Sequence, residues 1–236
     1  MSLIVFEHHP EETAAVLGTI LLHYGHRLRV VKLHAGDPVP PDLDDVDGII
    51  SMGGPMNVDQ AAEYPWIEAE MAYLRTAHEA GVPIVGVCLG AQLIAAAMGG
   101  KVEAMAQPEV GWHPVKLAFP GTIDPIFAGI PWQHIQFHLH GQEVTQLPPG
   151  ATPLAGSRMT RNQAFRVGQT TYGFQYHFEW DEPIIQMIAD DPLAVAAGVT
   201  REQLLEQVAE HFDGYRRLSD RLCHNIANLL FAVARK

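Results

Sequence analysis

The chain has 236 residues, of which 47% are hydrophobic and 18% are charged, so it is long enough to bury a sizeable core. Its 15 Lys and Arg residues against 27 Asp and Glu residues give a formal net charge of −12, which argues against binding to nucleic acid or to an anionic membrane. Two cysteines make no disulfide framework, and the sequence suggests neither a secretory signal nor a membrane span, so we expect a cytoplasmic protein.

The first half of the chain alternates short apolar runs with helical segments. Strands are predicted at LIVFEH, HRLRVVKL, VDGIISMGG and PIVGVCL, and helices at residues 11–24, 66–80 and 90–98. This alternation is typical of parallel βαβ units. We therefore predict an α/β fold with a doubly wound, mostly parallel central sheet and helices on both of its faces.

The second half has a different pattern. Between residues 111 and 177, short β-like pieces (WHPVKLAF, HIQFHLH, NQAFRVG, TTYGFQYHF) are separated by Gly, Pro and Asn, which predicts an antiparallel hairpin extension of the same sheet. Residues 182–236 indicate two or three helices, with Thr200 as a candidate N-cap. No linker divides the chain, so we predict a single domain over residues 1–236, with a core at about 3–180 and a C-terminal helical tail at 181–236.

One of the two cysteines, Cys88, lies in the pentapeptide GVCLG at a predicted strand-to-helix junction. The spacing is that of the nucleophile elbow G-x-S-x-G, with sulfur in place of oxygen. Both glycines are needed because the tight reversal strains the backbone of the nucleophile and a neighbouring Cβ would clash. The helix N-terminus favours a thiolate, and the Leu89 N–H is free to face an oxyanion. The alternative is a buried packing cysteine, which is what we predict for Cys223.

A nucleophilic thiol needs a base, and the base needs a group that orients it. The chain has 13 histidines, so the presence of one proves little. His177 stands out because Glu179 follows two positions later, on the same side of an extended segment. The Glu179 carboxylate can therefore accept the imidazole N–H. The alternative for His177 is a structural histidine at a sheet edge.

Three segments, SMGGPMNV, GVCLGAQ and FQYHFEW, together resemble the class I glutamine amidotransferases in motif and in order, over about residues 5–180. The resemblance implies a triad in which Cys88 is the nucleophile, His177 the general base and acid, and Glu179 its orienting partner. The implied reaction forms a γ-glutamyl thioester, releases ammonia, and ends with hydrolysis to glutamate. The family usually has Pro at the position of Phe178, which points away from the triad on an extended segment.

The same resemblance implies further site residues and partners. The N–H groups of Gly54 and Leu89 would form the oxyanion hole, with Gly53 and Gln92 as substrate contacts and no cofactor. The chain looks most like stand-alone members related to the GMP synthase glutaminase domain, so a separate synthetase that accepts the ammonia is one expected partner. Two alternatives stay open: a γ-glutamyl peptide hydrolase that acts alone, and a non-catalytic thiol sensor on the same fold.

Two groups of histidines have no role in this scheme. Alternating strand residues share a face, so His134, His138 and His140 with Glu143 could suggest a metal site, but we expect half-exposed packing residues and no metal. His140 also replaces the Asp of a Ser-His-x-Asp segment in GMP synthase-like members, which puts an inherited role of His138 in doubt. The polar segment after the first strand could line the mouth of a pocket through His8, His9, Glu11 or Glu12.

Overall fold

A mixed sheet lies at the centre of the computed structural model, which describes residues 2–232. Within that range nine strands pair in the order β2-β1-β3-β4-β9-β8-β7-β5-β6. The first five strands of this order are mutually parallel and the last four pair antiparallel, which confirms the predicted sheet and its antiparallel extension. The strands are β1 (Ser2–Glu7), β2 (Arg27–Lys32), β3 (Gly48–Ser51), β4 (Ile84–Val87), β5 (Lys101–Leu117), β6 (Gln133–Gln146), β7 (Thr152–Gly156), β8 (Ala164–Val167) and β9 (Thr171–Phe174).

Helices cover both faces of the sheet. They are α1 (Ala15–His23), α2 (Trp66–Glu79), α3 (Leu89–Ala97), α4 (Phe119–Ile123), α5 (Glu182–Met187), α6 (Pro192–Ala196) and α7 (Arg201–Asn225), and α7 continues into a π-helical turn at Ile226–Leu230. Alternate residues of β1 face opposite sides: Leu3 and Val5 join the core beneath α1 and the end of α7, whereas Ile4 and Phe6 pack with α2 and α3. No helix in the described range is both long and apolar enough to cross a bilayer.

Two element boundaries differ from the prediction. Helix α1 begins at Ala15 rather than residue 11, because residues 9–12 form a turn closed by the Glu12 N–H and the His9 carbonyl (3.2 Å). Strand β5 begins at Lys101, ten residues earlier than predicted. Its first half is mostly exposed, so it carries no apolar alternation to identify it as a strand.

The C-terminal segment packs against the sheet. Residues of α5, α6 and α7 share a core cluster with Trp112 of β5 and Phe137 of β6, which supports the predicted single domain. Thr200 caps α7 as predicted: its hydroxyl accepts the Gln203 N–H, and the Gln203 side chain accepts the Thr200 N–H. Cys223 of α7 is buried in the core, as predicted for a packing residue.

Candidate active site

Cys88 lies at the turn between β4 and α3 with a strained backbone. Its φ of 50° and ψ of −108° are unusual for a residue with a side chain. The flanking glycines allow the turn: a Cβ at Gly86 would lie 2.6 Å from the carbonyl carbon of Gly90, and a Cβ at Gly90 would overlap the carbonyl oxygen of Ser51. The turn therefore has the elbow geometry predicted from the GVCLG motif.

His177 and Glu179 lie beside Cys88, brought there by the irregular segment after β9. Strand β9 ends at Phe174, earlier than the sequence indicates, and an isolated bridge from His177 to Phe137 holds the following segment. The His177 Nδ1 donates to Glu179 Oε1 at 2.8 Å, and both side chains are buried. The structure thus brings the three residues of the predicted triad together.

The electrostatics of this group make the imidazole a stronger base. Burial alone would lower the pKa of His177, but the Glu179 carboxylate and the neighbouring Cys88 raise it well above its usual value. Burial raises the pKa of the Cys88 thiol, and His177 offsets part of that shift. The thiol therefore keeps its proton until the strengthened imidazole accepts it, the division of roles that a buried nucleophile and base require.

The Gly53-Gly54 loop packs against both of these elements. A Cβ at Gly54 would lie 3.0 Å from the Leu89 side chain at the start of α3, and one at Gly53 would lie 3.0 Å from the His177 ring. Leu89 opens α3, so its N–H has no acceptor within the helix. The loop and the helix start therefore lie on either side of the Cys88 region, where the predicted oxyanion hole would be.

A second buried histidine–carboxylate pair holds that loop in place. His8 is buried rather than at a pocket mouth, and its Nδ1 lies 3.0 Å from the carbonyl oxygens of both Met52 and Gly53. Its Nε2 lies 2.7 Å from the buried Glu70 carboxylate, so both ring nitrogens face acceptors. Burial would lower the pKa of His8, but Glu70 raises it overall, which favours the doubly protonated ring that can donate to both. No motif or spacing pointed to Glu70, which lies on α2.

The C-terminal tail positions the triad from the opposite side. The hydroxyl of Tyr215 donates to the Trp180 carbonyl at 3.0 Å, and the hydroxyl of Ser219 donates to the Phe178 carbonyl. Phe178 itself points into the core and contacts Phe174, as expected for a residue that faces away from the triad. The tail is therefore part of the framework that holds His177.

A cavity of about 370 Å³ opens at the elbow. Its lining residues include Cys88, Gly54, Gln92, Glu12 and Asp191, and none of them is Lys or Arg. The two amide hydrogens of Gln92 are engaged by the Gln142 carbonyl and the Gln175 side chain, each at 3.1 Å, which leaves its Oε1 for a ligand. Gly53 does not line the cavity. The volume suits a small ligand.

Glu12 is the cavity residue whose environment is most unusual. Its side chain packs against Gly53, and its Oε2 is buried without a hydrogen-bond partner. Burial raises the pKa of Glu12 to about 7, with His177 opposing and Glu179 adding to the shift. The sequence analysis placed Glu12 among four candidates for a pocket mouth, and of these it is the one that reaches the cavity.

We expect Glu12→Gln to stabilise the protein above neutral pH. The proton of Glu12 is bound more tightly in the folded than in the unfolded chain, so the free energy of unfolding falls as pH rises from 4.5 through about 7. The variant should therefore melt roughly 3–6 °C higher near pH 8, with the difference vanishing near pH 4. Melting curves across this range, with exposed Glu11→Gln as the control, test the effect; an equal difference at all pH values would contradict it.

The histidines of β6 are buried, not half-exposed as predicted. His134, His138 and His140 are 6%, 0% and 2% exposed. The carboxylate beside them is Glu109 of β5, which lies 3.3 Å from His140 Nε2, rather than Glu143. Sequence spacing could not identify Glu109, because it reaches the histidines by pairing between strands.

Comparison with known proteins gives a consistent family. The family model described as glutamine amidotransferase class-I matches residues 13–182. A glutamine amidotransferase-like protein of Salmonella typhimurium is 27% identical over 216 residues, 90% of each chain. A glutamine-hydrolyzing GMP synthase of Natronomonas pharaonis that is built from separate subunits offers a second match: one of those subunits is 32% identical over 141 residues, 59% of this chain and 70% of that one.

Longer relatives and solved structures extend this comparison. Among full-length GMP synthases, matches span 24–28% of the length of those proteins. The crystal structure of a glutamine amidotransferase from Methylobacillus flagellatus superposes with a TM-score of 0.85 at 24% identity, covering 100% of this chain and 96% of that one. That likeness bears on the fold.

Proposed function

The chain belongs to the class I glutamine amidotransferase family, and we propose that it hydrolyses the side-chain amide of glutamine through a thioester on Cys88. The observation that carries the proposal is the strained elbow at Cys88 beside a buried His177 that donates to Glu179. A thiol that only packs, or only senses oxidants, needs neither a base nor a carboxylate that strengthens the base.

The proposed reaction has two halves. Cys88 Sγ attacks the γ-carbonyl carbon while His177 accepts the thiol proton, and the N–H groups of Leu89 and Gly54 stabilise the oxyanion. Collapse of the tetrahedral intermediate breaks the C–N bond, and His177 gives its proton to the leaving ammonia. Water then attacks the thioester with His177 as base, which releases glutamate and restores the thiol. Glu179 stabilises the imidazolium in both halves, and Gln92 Oε1 faces the substrate.

The acceptor of the ammonia is proposed to lie on another protein. The relatives include one subunit of a GMP synthase, and full-length GMP synthases are far longer than this chain. We therefore expect a cytoplasmic location and a separate synthetase as the partner. The use of core residues together with the tail to build one site supports a single domain.

A specific feature of the cavity favours a second candidate, a γ-glutamyl hydrolase that acts alone. Glu12 and Asp191 both line the cavity, without a Lys or Arg among its lining residues. Two carboxylates favour a substrate with an additional amino group, such as the γ-glutamyl amide of a peptide or amine. This candidate uses the same triad and differs from the first in the leaving group.

Covalent labelling tests the proposal. We expect a diazo-ketone analogue of glutamine to alkylate Cys88 in the isolated protein, with the adduct located by peptide mass spectrometry. Cys88→Ser should abolish labelling, and Cys223 should stay unmodified because it lies in the core. Protection by glutamine supports the amidotransferase, whereas protection only by γ-glutamyl peptides or amines supports the lone hydrolase. Equal labelling of both cysteines, or none of Cys88 with or without a synthetase partner, would leave the thiol sensor as the remaining interpretation.

A further inference from the structure

Three buried side chains with metal-binding atoms meet on one face of the β5–β6 ribbon. Glu109 pairs directly with His140 across the strands, and His138 lies two residues from His140 on the same face. One potential ligand atom from each lies within 4.8 Å of the others, a grouping found among residues 2–232. A register shift between Ala104 and Glu109 places the carboxylate opposite the histidines.

The hydrogen bonds of His140 leave a lone pair facing a carboxylate. Its Nδ1 lies 3.0 Å from the carbonyl oxygen of Gln142, an acceptor, so Nδ1 carries a hydrogen. In the neutral ring Nε2 then carries a lone pair, yet it lies 3.3 Å from Glu109 Oε2 without hydrogen-bond geometry. Two electron-rich atoms at this distance repel each other unless a cation or a proton lies between them.

The carboxylate of Glu109 is fixed in position by neutral donors. The Ser157 hydroxyl donates to Oε1 and the Gln163 amide donates to Oε2, each at 2.8 Å. The side chain is 1% exposed, and in the described range its ion-pair partners are His138 and His140. A buried carboxylate needs a compensating positive charge. Oriented carboxylates and histidines with one nitrogen tied to a backbone carbonyl are what metal sites have around their ligands.

We propose that Glu109, His138 and His140 bind one divalent first-row transition metal ion, with Zn²⁺ as the reference ion. The 3.3 Å between His140 Nε2 and Glu109 Oε2 matches the separation of roughly 3.4 Å between two ligands at about 2.1 Å from a tetrahedral ion. Two imidazoles and one carboxylate suit Zn²⁺, Co²⁺ or Fe²⁺ and leave positions for water.

The site is reachable and separate from the Cys88 triad. His140 lines the cavity of about 370 Å³ at the elbow, and Glu109 lines a neighbouring cavity of about 1020 Å³ that does not include Cys88. Leu139, between the two histidines, has its carbonyl oxygen 3.7 Å from Cys88 Sγ. A bound ion would therefore cross-link β5 to β6 and hold this carbonyl beside the thiol. Metal binding here does not depend on the proposed reaction.

Metal titration of the chelator-treated protein tests the site. We expect one equivalent of Zn²⁺ per chain by equilibrium dialysis with elemental analysis, a higher Tm with Zn²⁺, and with Co²⁺ a visible spectrum free of thiolate charge transfer. Glu109→Gln and His140→Asn should each lose binding. Ser157→Ala, which removes only a donor to Glu109, should weaken it about tenfold.

Two matched controls separate this site from others. Cys88→Ala should bind metal as the unmodified chain does, which excludes a thiolate site formed with His177. Glu143→Gln, an acidic residue on the same strand, should also bind normally. Absence of Zn²⁺ binding in the unmodified chain would mean that a proton on His140 is the only cation present, and it would overturn the proposal. Normal binding by folded Glu109→Gln, judged by circular dichroism, would overturn it equally.

Discussion

His177→Asn should lower the rate of thioester formation about 10²–10⁴-fold, the usual contribution of a general acid–base residue. Asparagine keeps a polar side chain but cannot accept the Cys88 proton or return one to ammonia. The loss should appear in kcat and also in the rate of Cys88 alkylation, because both begin with removal of the same proton. Single-turnover kinetics with glutamine and labelling rates over a range of pH values measure it.

Glu179→Gln provides the graded comparison. The amide oxygen can still accept the His177 Nδ1 hydrogen, but it has no charge, so the pKa of His177 should fall. The low-pH limb of the rate profile should move to lower pH, since the imidazole stays neutral further down, while the maximal rate decreases because the base is weaker. His23→Asn, on the exposed end of α1, should leave both measurements unchanged. An unaltered alkylation rate in His177→Asn would show that another group activates Cys88.

The part of the site that the sequence predicted is encoded over short distances. GVCLG specifies its own turn because both glycines are required by contacts that the turn itself creates. Likewise, His177 and Glu179 are two residues apart and meet directly. Local motifs of this kind carry their geometry with them.

The rest of the site depends on tertiary pairing that no spacing encodes. His8 meets Glu70 from α2, and His140 meets Glu109 through a strand register that includes an irregularity. Glu12 reaches the cavity because α1 starts later than its sequence indicates, which leaves a turn in place of the first helical turn. Each contact joins residues that are distant in sequence or displaced by a local turn, so residue type alone could not pair them.

Gly90→Ala should destabilise the fold by at least about 3 kcal/mol, because the new methyl group overlaps the carbonyl oxygen of Ser51. That oxygen belongs to a buried strand, and Gly90 N–H also donates to the Met52 carbonyl at 3.0 Å, so neither side can move away cheaply. The strand end and the start of α3 would have to separate. Urea unfolding and Cys88 labelling measure the two consequences.

Gly214→Ala is the matched control for this substitution. Gly214 lies inside α7 with open space around the position of a Cβ, so alanine there should stabilise the helix by roughly 0.5–1 kcal/mol. The same chemical change should therefore have opposite signs at two positions of one chain. Destabilisation at Gly214 would point to a general intolerance of alanine, whereas a stable Gly90→Ala protein with normal Cys88 labelling would show that close packing of β3 against α3 does not hold the elbow.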